Sequence, residues 1–276
     1  MARDLINHGD ITGYETLPGD SWTIVIRPEW KAWLLEDLVD DFRSVDNTRR
    51  RTHAHGRVAH FSYQPKGAPS RVFVRRAKHG GLFGLLAGGI YSGVHRPLRE
   101  LRAAQVARGA GVNVAEPLAV LATRVFGPFY RLTIVSREVE NASNLLVLRS
   151  ELTATLKREL IARVADEMRR LHEAGVYHSD LTLKNILVHG SSVTIIDLDK
   201  ATLLGRRDEH MDVRNLSRLN RSLVKLLGRT GLVTRTDKLR FLRCYLRGSD
   251  RIKELSRLCG AGLWAHQLWW SLSGQA

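Results

Sequence analysis

Only two cysteines, Cys244 and Cys259, stand in 276 residues, and the N-terminal stretch Met-Ala-Arg-Asp-Leu-Ile-Asn-His has no apolar core. The chain therefore does not read as a disulfide scaffold or as carrying a secretory signal, and a reducing cytoplasm fits it. Long hydrophobic runs are missing too. The most apolar stretch, Gly81 to Val94, is Gly-rich and falls short of the ~20 apolar residues that span a bilayer. No transmembrane segment is expected, and the chain reads as soluble or peripheral. Neither a Pro/Gly/Ser-rich linker nor an internal repeat interrupts it. Acidic residues are in deficit: 28 Asp and Glu face 43 Lys and Arg, a formal net charge of +15. That balance calls for an anionic partner, and nucleic acid, an anionic membrane face or an acidic substrate would each satisfy it.

What is present describes a folded protein. Hydrophobic content of 43% with 26% charged residues excludes a disordered tail, and at ~150 residues per domain the length suggests two lobes. After Pro28, the residues Trp30, Leu34, Leu38 and Phe42 recur every fourth position, which predicts an amphipathic helix. Arg57 to Tyr63 and Arg71 to Arg76 read as two strands joined by a turn, Arg96 to Gly109 as a helix, and Val112 to Val120 and Phe129 to Val135 as further strands. Beyond Val139 the character turns helical. Leu152, Leu156, Leu160, Val164, Met168 and Leu171 form one stripe that stops at Gly175, and from His210 onward the chain consists of basic, leucine-containing helices. Between Arg206 and Arg257, 15 Lys and Arg stand against 6 Asp and Glu. The expectation is an α+β fold with a sheet-rich lobe over residues 1–139 and a helical lobe over 140–276.

The chemistry sits where the long helix ends. Tyr177 to Asn185 reads Tyr-His-Ser-Asp-Leu-Thr-Leu-Lys-Asn, and twelve residues later an apolar strand, Val193 to Ile196, ends at Asp197. Phosphoryl transfer needs a carboxylate to accept the hydroxyl proton, and oxygen ligands for the metal ions that accompany a nucleotide. Asp180 supplies the first; Asn185 and Asp197 supply the second, in the order and spacing of a kinase site. A lone loop Asp is usually a turn former, so the assignment rests on the three together. His178 is read as a brace for the loop. Lys184 faces either a transferring phosphate or solvent, and Asp199 either binds a second metal ion or pairs with Lys200.

The nucleotide-binding residues are less plain. Gly56 is the single glycine where several would cover the phosphates, and the strand that would carry a phosphate-binding Lys offers Arg75 instead. Arginine clamps phosphate oxygens bidentately, so the exchange is compatible with binding. Glu100, in the helix that follows, is the expected ion-pair partner of Arg75.

Together, Gly56-Arg57, Phe73-Val74-Arg75-Arg76 with Gly80-Gly81, Arg99-Glu100, the Asp180 loop and Ile196-Asp197-Leu198-Asp199 resemble the lipopolysaccharide kinase family. The similarity is strongest to its 3-deoxy-D-manno-octulosonic acid (Kdo) kinase branch and runs from about Gly56 to Leu204. The resemblance implies a protein-kinase-like fold that uses ATP and Mg2+ to phosphorylate a Kdo hydroxyl on a lipid-linked lipopolysaccharide precursor, at the cytoplasmic face of the bacterial inner membrane. It implies Asp180 as base, Asn185 and Asp197 as metal ligands, and Gly56, Arg75 and Glu100 around the nucleotide. The sequence departs from the pattern at Val58, where Gly is expected, and at Leu198, where Phe is expected. On this reading the basic lobe meets an anionic membrane surface, with Trp264, Trp269 and Trp270 either at the lipid interface or in packing, and nucleic acid is not the partner. Two alternatives keep the fold: a kinase for another sugar, small molecule or protein, and a non-catalytic pseudokinase or binding module.

Overall fold

The structure is a computed structural model, described over residues 11–40, 42, 60–77, 89–145, 153–228, 230–248 and 251–259. Gly56, Gly80 and Gly81, Leu152 and the three C-terminal tryptophans lie outside the described residues. The chain forms two compact units: Met1–Arg102 with Ala115–Glu140, and Ala103–Val114 with Asn141–Ala276.

In chain order the first unit contains β1 (Glu15–Pro18), β2 (Trp22–Ile26), a 3-10 turn Pro28–Trp30 leading into α1 (Lys31–Val39), β3 (His60–Tyr63), β4 (Val72–Arg76), β5 (Ile90–Ser92), the start of α2 (His95–Gly109), β6 (Pro117–Phe126) and β7 (Phe129–Arg137). The sheet runs β1-β2-β6-β7-β4-β3, with β5 also on β7, and every named pairing is antiparallel. The alternating patterns are those of the outer strands β3 and β4, while β2, β6 and β7 are buried on both faces for most of their length and carry near-continuous apolar runs. The four-residue period after Pro28 puts Trp30, Leu34, Leu38 and Phe42 in one core, where each is 1% exposed or less. Losing a side chain such as Leu34 from this site costs about 2–5 kcal/mol. The other face of the sheet packs Val120, Leu132 and Ile134 with Leu98 and Leu101 of α2.

The second unit takes the end of α2, then β8 (Ser143–Asn144), α3 (Ala154–Glu173), β9 (Val176–His178), β10 (Ile186–His189), β11 (Ser192–Ile195), β12 (Ala201–Leu203), α4 (Glu209–Leu227) and α5 (Arg235–Tyr245), with a further helical segment over 252–259. Thr153 caps α3 by accepting a hydrogen bond from the Leu156 N–H, which begins the helix on time. Its stripe of Leu160, Val164, Met168 and Leu171 is buried. Thr234 and Asp237 form a reciprocal capping box that starts α5, and Lys157 of α3 donates to the same Asp237 carboxylate at 2.9 Å.

One expected strand is shorter than its pattern. The sequence reads as strand from Val112 to Val120, yet pairing begins only at Pro117. Val112 and Val114 instead fill the core of the second unit, and Val114 makes a single parallel bridge to Ile195. The apolar residues answer to two cores, so one pattern covers two structures.

Candidate active site

The loop that carries Asp180 is built by close approach at its entrance. Gly175 ends α3 at φ +66, and a Cβ there would lie 2.9 Å from the backbone N and O of Arg206. Only glycine meets both conditions. Strand β9 follows, pairs antiparallel with β12, and delivers His178, after which the Leu181 N–H bonds the His178 carbonyl at 3.1 Å and turns the chain. Asp180 therefore projects from a tight turn, about one-third exposed.

Asp180, Asn185 and Asp197 are gathered by short links. Asn185 donates from Nδ2 to the Asp180 carbonyl at 2.9 Å, which leaves its Oδ1 available as an oxygen ligand. The Ile196 N–H bonds the Asn185 carbonyl at 3.0 Å, so the residue before Asp197 is tied to the residue that closes the loop. Asp197 itself adopts φ 64 and ψ 59, a left-handed conformation uncommon for a residue with a side chain and one that concentrates at functional positions.

His178 joins these segments. It is fully buried; Nε2–H donates to the Ile196 carbonyl at 3.2 Å, while Nδ1 accepts from the Asp180 N–H at 3.3 Å. Burial holds its pKa below the ordinary histidine value, against the opposing pull of the Ile196 hydrogen bond and the nearby carboxylates. A neutral ring is what this pattern needs, since one nitrogen donates and the other accepts. Lys184 is exposed, whereas Asp199 is buried beside an exposed Lys200.

Helix α4 supports the loop through residues that the sequence reading did not single out. Asn215 Oδ1 accepts from the His178 N–H at 3.1 Å and Nδ2 donates to its carbonyl at 2.8 Å. Arg218 donates from Nη2 to Asp180 Oδ1, and Ser222 Oγ accepts from the Leu183 N–H at 3.1 Å. The spacing i, i+3, i+7 sets all three on one helix face. The available signal was a polar residue inside an apolar stripe: Asn215 is fully buried next to Leu216, one turn before Leu219. Behind it lies a polar cluster that was also missed. His172 donates from Nε2 to Asn215 Oδ1 at 3.1 Å and contacts the Tyr245 hydroxyl at 2.8 Å through Nδ1. Arg207 bonds both Asp212 and Tyr245. Burial lowers the His172 pKa, against the attraction of Asp212.

In the first unit, Arg75 of β4 donates from Nη2 to both carboxylate oxygens of Glu100 on α2, at 2.8 and 2.7 Å. Glu100 is buried, and the guanidinium offsets part of the cost of placing a carboxylate there.

Among the described residues no cluster of three His, Cys, Asp or Glu is placed to hold a metal ion. The Asn185 amide oxygen and the Asp197 carboxylate are a hard, oxygen-only pair, the donor set suited to an ion that takes the rest of its shell from water and phosphate oxygens. The residues fit magnesium in that role.

Residues 90–245 match the model of the lipopolysaccharide kinase (Kdo/WaaP) family. A Vibrio vulnificus (strain YJ016) protein named 3-deoxy-D-manno-octulosonic acid kinase is 33% identical over 157 residues, 55% of this chain and 64% of that protein. The chain thus spans less than two thirds of the length of that relative. A Photobacterium damsela subsp. piscicida protein of the same name is 30% identical over 182 residues, 64% of this chain and 74% of its own. Among solved structures, one titled "WaaP in complex with acyl carrier protein" superposes with a TM-score of 0.57 at 23% identity, covering 88% of this chain and 95% of that one. The fold is therefore the α+β, kinase-like fold of that neighbour. With a match over more than half its length to the family model, the chain belongs to the lipopolysaccharide kinase (Kdo/WaaP) family.

Proposed function

We propose that this protein is an ATP-dependent kinase that phosphorylates a hydroxyl of a Kdo sugar in the lipopolysaccharide inner core. The observation that carries the reading is the gathering of Asp180, Asn185 and Asp197 by the Asn185–Asp180 and Ile196–Asn185 hydrogen bonds, in a chain whose relatives are named Kdo kinases.

Asp180 accepts the proton of the attacking hydroxyl as its oxygen bonds to the γ-phosphorus of ATP; the bridging bond breaks, and ADP leaves with the electron pair. Asn185 and Asp197 would hold the magnesium ion, which neutralises charge on the phosphate oxygens. Residues 1–139 serve as the nucleotide-binding lobe, where Glu100 holds Arg75 in place to engage the phosphates and Gly56 is assigned to the segment that covers them. Residues 140–276 are the catalytic lobe. No helix among the described residues is long and apolar enough to cross a membrane. The net charge of +15 suits peripheral attachment to the anionic cytoplasmic face of the inner membrane, where the lipid-linked acceptor is made.

The test is transfer of labelled phosphate from ATP to a Kdo-bearing lipid by the purified chain in magnesium, beside Asp180→Ala. Transfer by the native protein, with at least a thousandfold loss in a folded variant, is the expected result; about 10² to 10⁴ is the usual contribution of a positioned base, and more is lost when the hydroxyl is also misaligned. Equal transfer by Asp180→Ala would remove Asp180 as base. No phosphorylation of any acceptor, with salt-sensitive binding to duplex DNA, would identify a binding module instead.

A further inference from the structure

Arg218 is bonded to the proposed base without being needed for the fold. Its side chain is 42% exposed and that of Asp180 is 31% exposed. An ion pair so open to water adds roughly 0–1 kcal/mol to stability. Nor does it take part in the proton transfer itself, because a guanidinium only donates and has no lone pair to accept the hydroxyl proton. What the contact does fix is orientation: with Oδ1 held by Arg218, Oδ2 is the oxygen turned to the reacting hydroxyl.

The guanidinium has further donors to offer. A planar fork of five N–H groups suits a second oxyanion; Arg218 Nε–H is buried and has no hydrogen-bond partner among the described residues, so it is the Nη end of the 42% exposed side chain that is offered to a ligand. Arg214, Arg218, Arg221 and Lys225 follow one another on α4 at steps of four, three and four, which places four cations along one stripe. Arg218 is the member that reaches the loop of the base. A group bonded to Arg218 therefore lies within the span of one small molecule of the hydroxyl that Asp180 deprotonates.

We propose that Arg218 determines acceptor specificity: it binds the carboxylate of an acidic sugar while holding Asp180 in the orientation for proton transfer. The inference rests on Asp180 being the base, and it names the acceptor as a sugar acid rather than a neutral sugar.

The experiment compares the full chain with Arg218→Gln and Arg218→Lys on two probes, a short Kdo glycoside with a free carboxylate and the same glycoside as its neutral carboxamide. The native enzyme is expected to favour the acid by about 10- to 100-fold in kcat/KM, the range for one charge-assisted hydrogen-bonded contact. Arg218→Gln loses that preference through a raised KM for the acid, leaves KM for ATP unchanged and narrows the gap between the two probes. Arg218→Lys restores part of the preference. Calorimetric titration of the acid without ATP shows the same loss of affinity in Arg218→Gln, and a thermal melt shows that the variant is folded. An equal loss on both probes, or an undiminished preference for the acid, overturns the proposal and leaves the kinase reading standing. Transfer by the native enzyme to neither probe, with transfer to a different acceptor, defeats the reading of the acceptor and the role of Arg218 with it.

Discussion

The side-chain amide of Asn215 is hydrogen-bonded to both main-chain groups of His178, accepting from its N–H at 3.1 Å and donating to its carbonyl at 2.8 Å. An amide that satisfies N–H and C=O of one residue acts as a neighbouring strand would, and it does so two residues before Asp180. Because Asn215 also accepts from His172, a single buried side chain joins α3, α4 and the proposed catalytic loop.

Replacing Asn215 by Ala leaves the His178 N–H, the His178 carbonyl and the His172 Nε2–H without this partner in the interior. Each unsatisfied buried group costs about 1–3 kcal/mol, so with three such groups a loss of at least about 3 kcal/mol is expected from urea unfolding. Turnover falls further than stability alone explains, with kcat reduced and KM for ATP little changed. A variant as stable and as active as the native chain would remove Asn215 from the positioning of the loop.

Stability should fall with acid before the carboxylates titrate. Burial lowers the pKa of both His172 and His178 in the folded protein, so the unfolded chain binds those protons more readily. Their contribution is therefore fully present above the ordinary histidine value near 6.5 and is lost as pH drops below it. Each group costs up to roughly 1.4 kcal/mol per pH unit in that range. Calorimetric melts from pH 7.5 to 5.5 measure the slope, and His172→Gln reduces it; a Tm independent of pH over that interval contradicts the assignment.

Variants of Arg75 and Glu100 separate stability from the proposed nucleotide binding. Breaking a buried pair by Arg75→Ala takes the guanidinium from the Glu100 carboxylate and costs about 3–5 kcal/mol, whereas replacing both partners with apolar residues of similar volume is often neutral. The double variant Arg75→Met with Glu100→Leu is therefore expected to regain most of the stability lost in Arg75→Ala while KM for ATP stays raised at least tenfold. Recovery of ATP affinity together with stability would show that the pair serves the fold alone.

Asp180, Asn185 and Asp197 could be picked out in the sequence because their geometry is local. Asp180 and Asn185 are five residues apart in one loop, and Asp197 lies just past the second strand of a hairpin whose first strand begins at Ile186. Helix α1 was legible for a related reason, since a four-residue apolar period has one economical structure. Val112 to Glu116 was misread because alternation reports burial on two sides and not the identity of the partner. Arg218 was read only as part of a basic run, since a cation on an amphipathic helix looks the same whether it faces water or a carboxylate 38 residues earlier.

By itself the sequence determined most of the order of the elements, the placing of Asp180 and Asn185 in one loop with Asp197 behind the next hairpin, and the positive net charge of the chain, because spacing within a loop and periodicity within a helix act over a few residues. The tertiary structure decided what surrounds that chemistry: Asn215 on the backbone of His178, Arg218 on Asp180 and Glu100 on Arg75. Those contacts join residues 25 to 38 positions apart, and they form only where packing of the apolar faces brings the polar groups within hydrogen-bond reach.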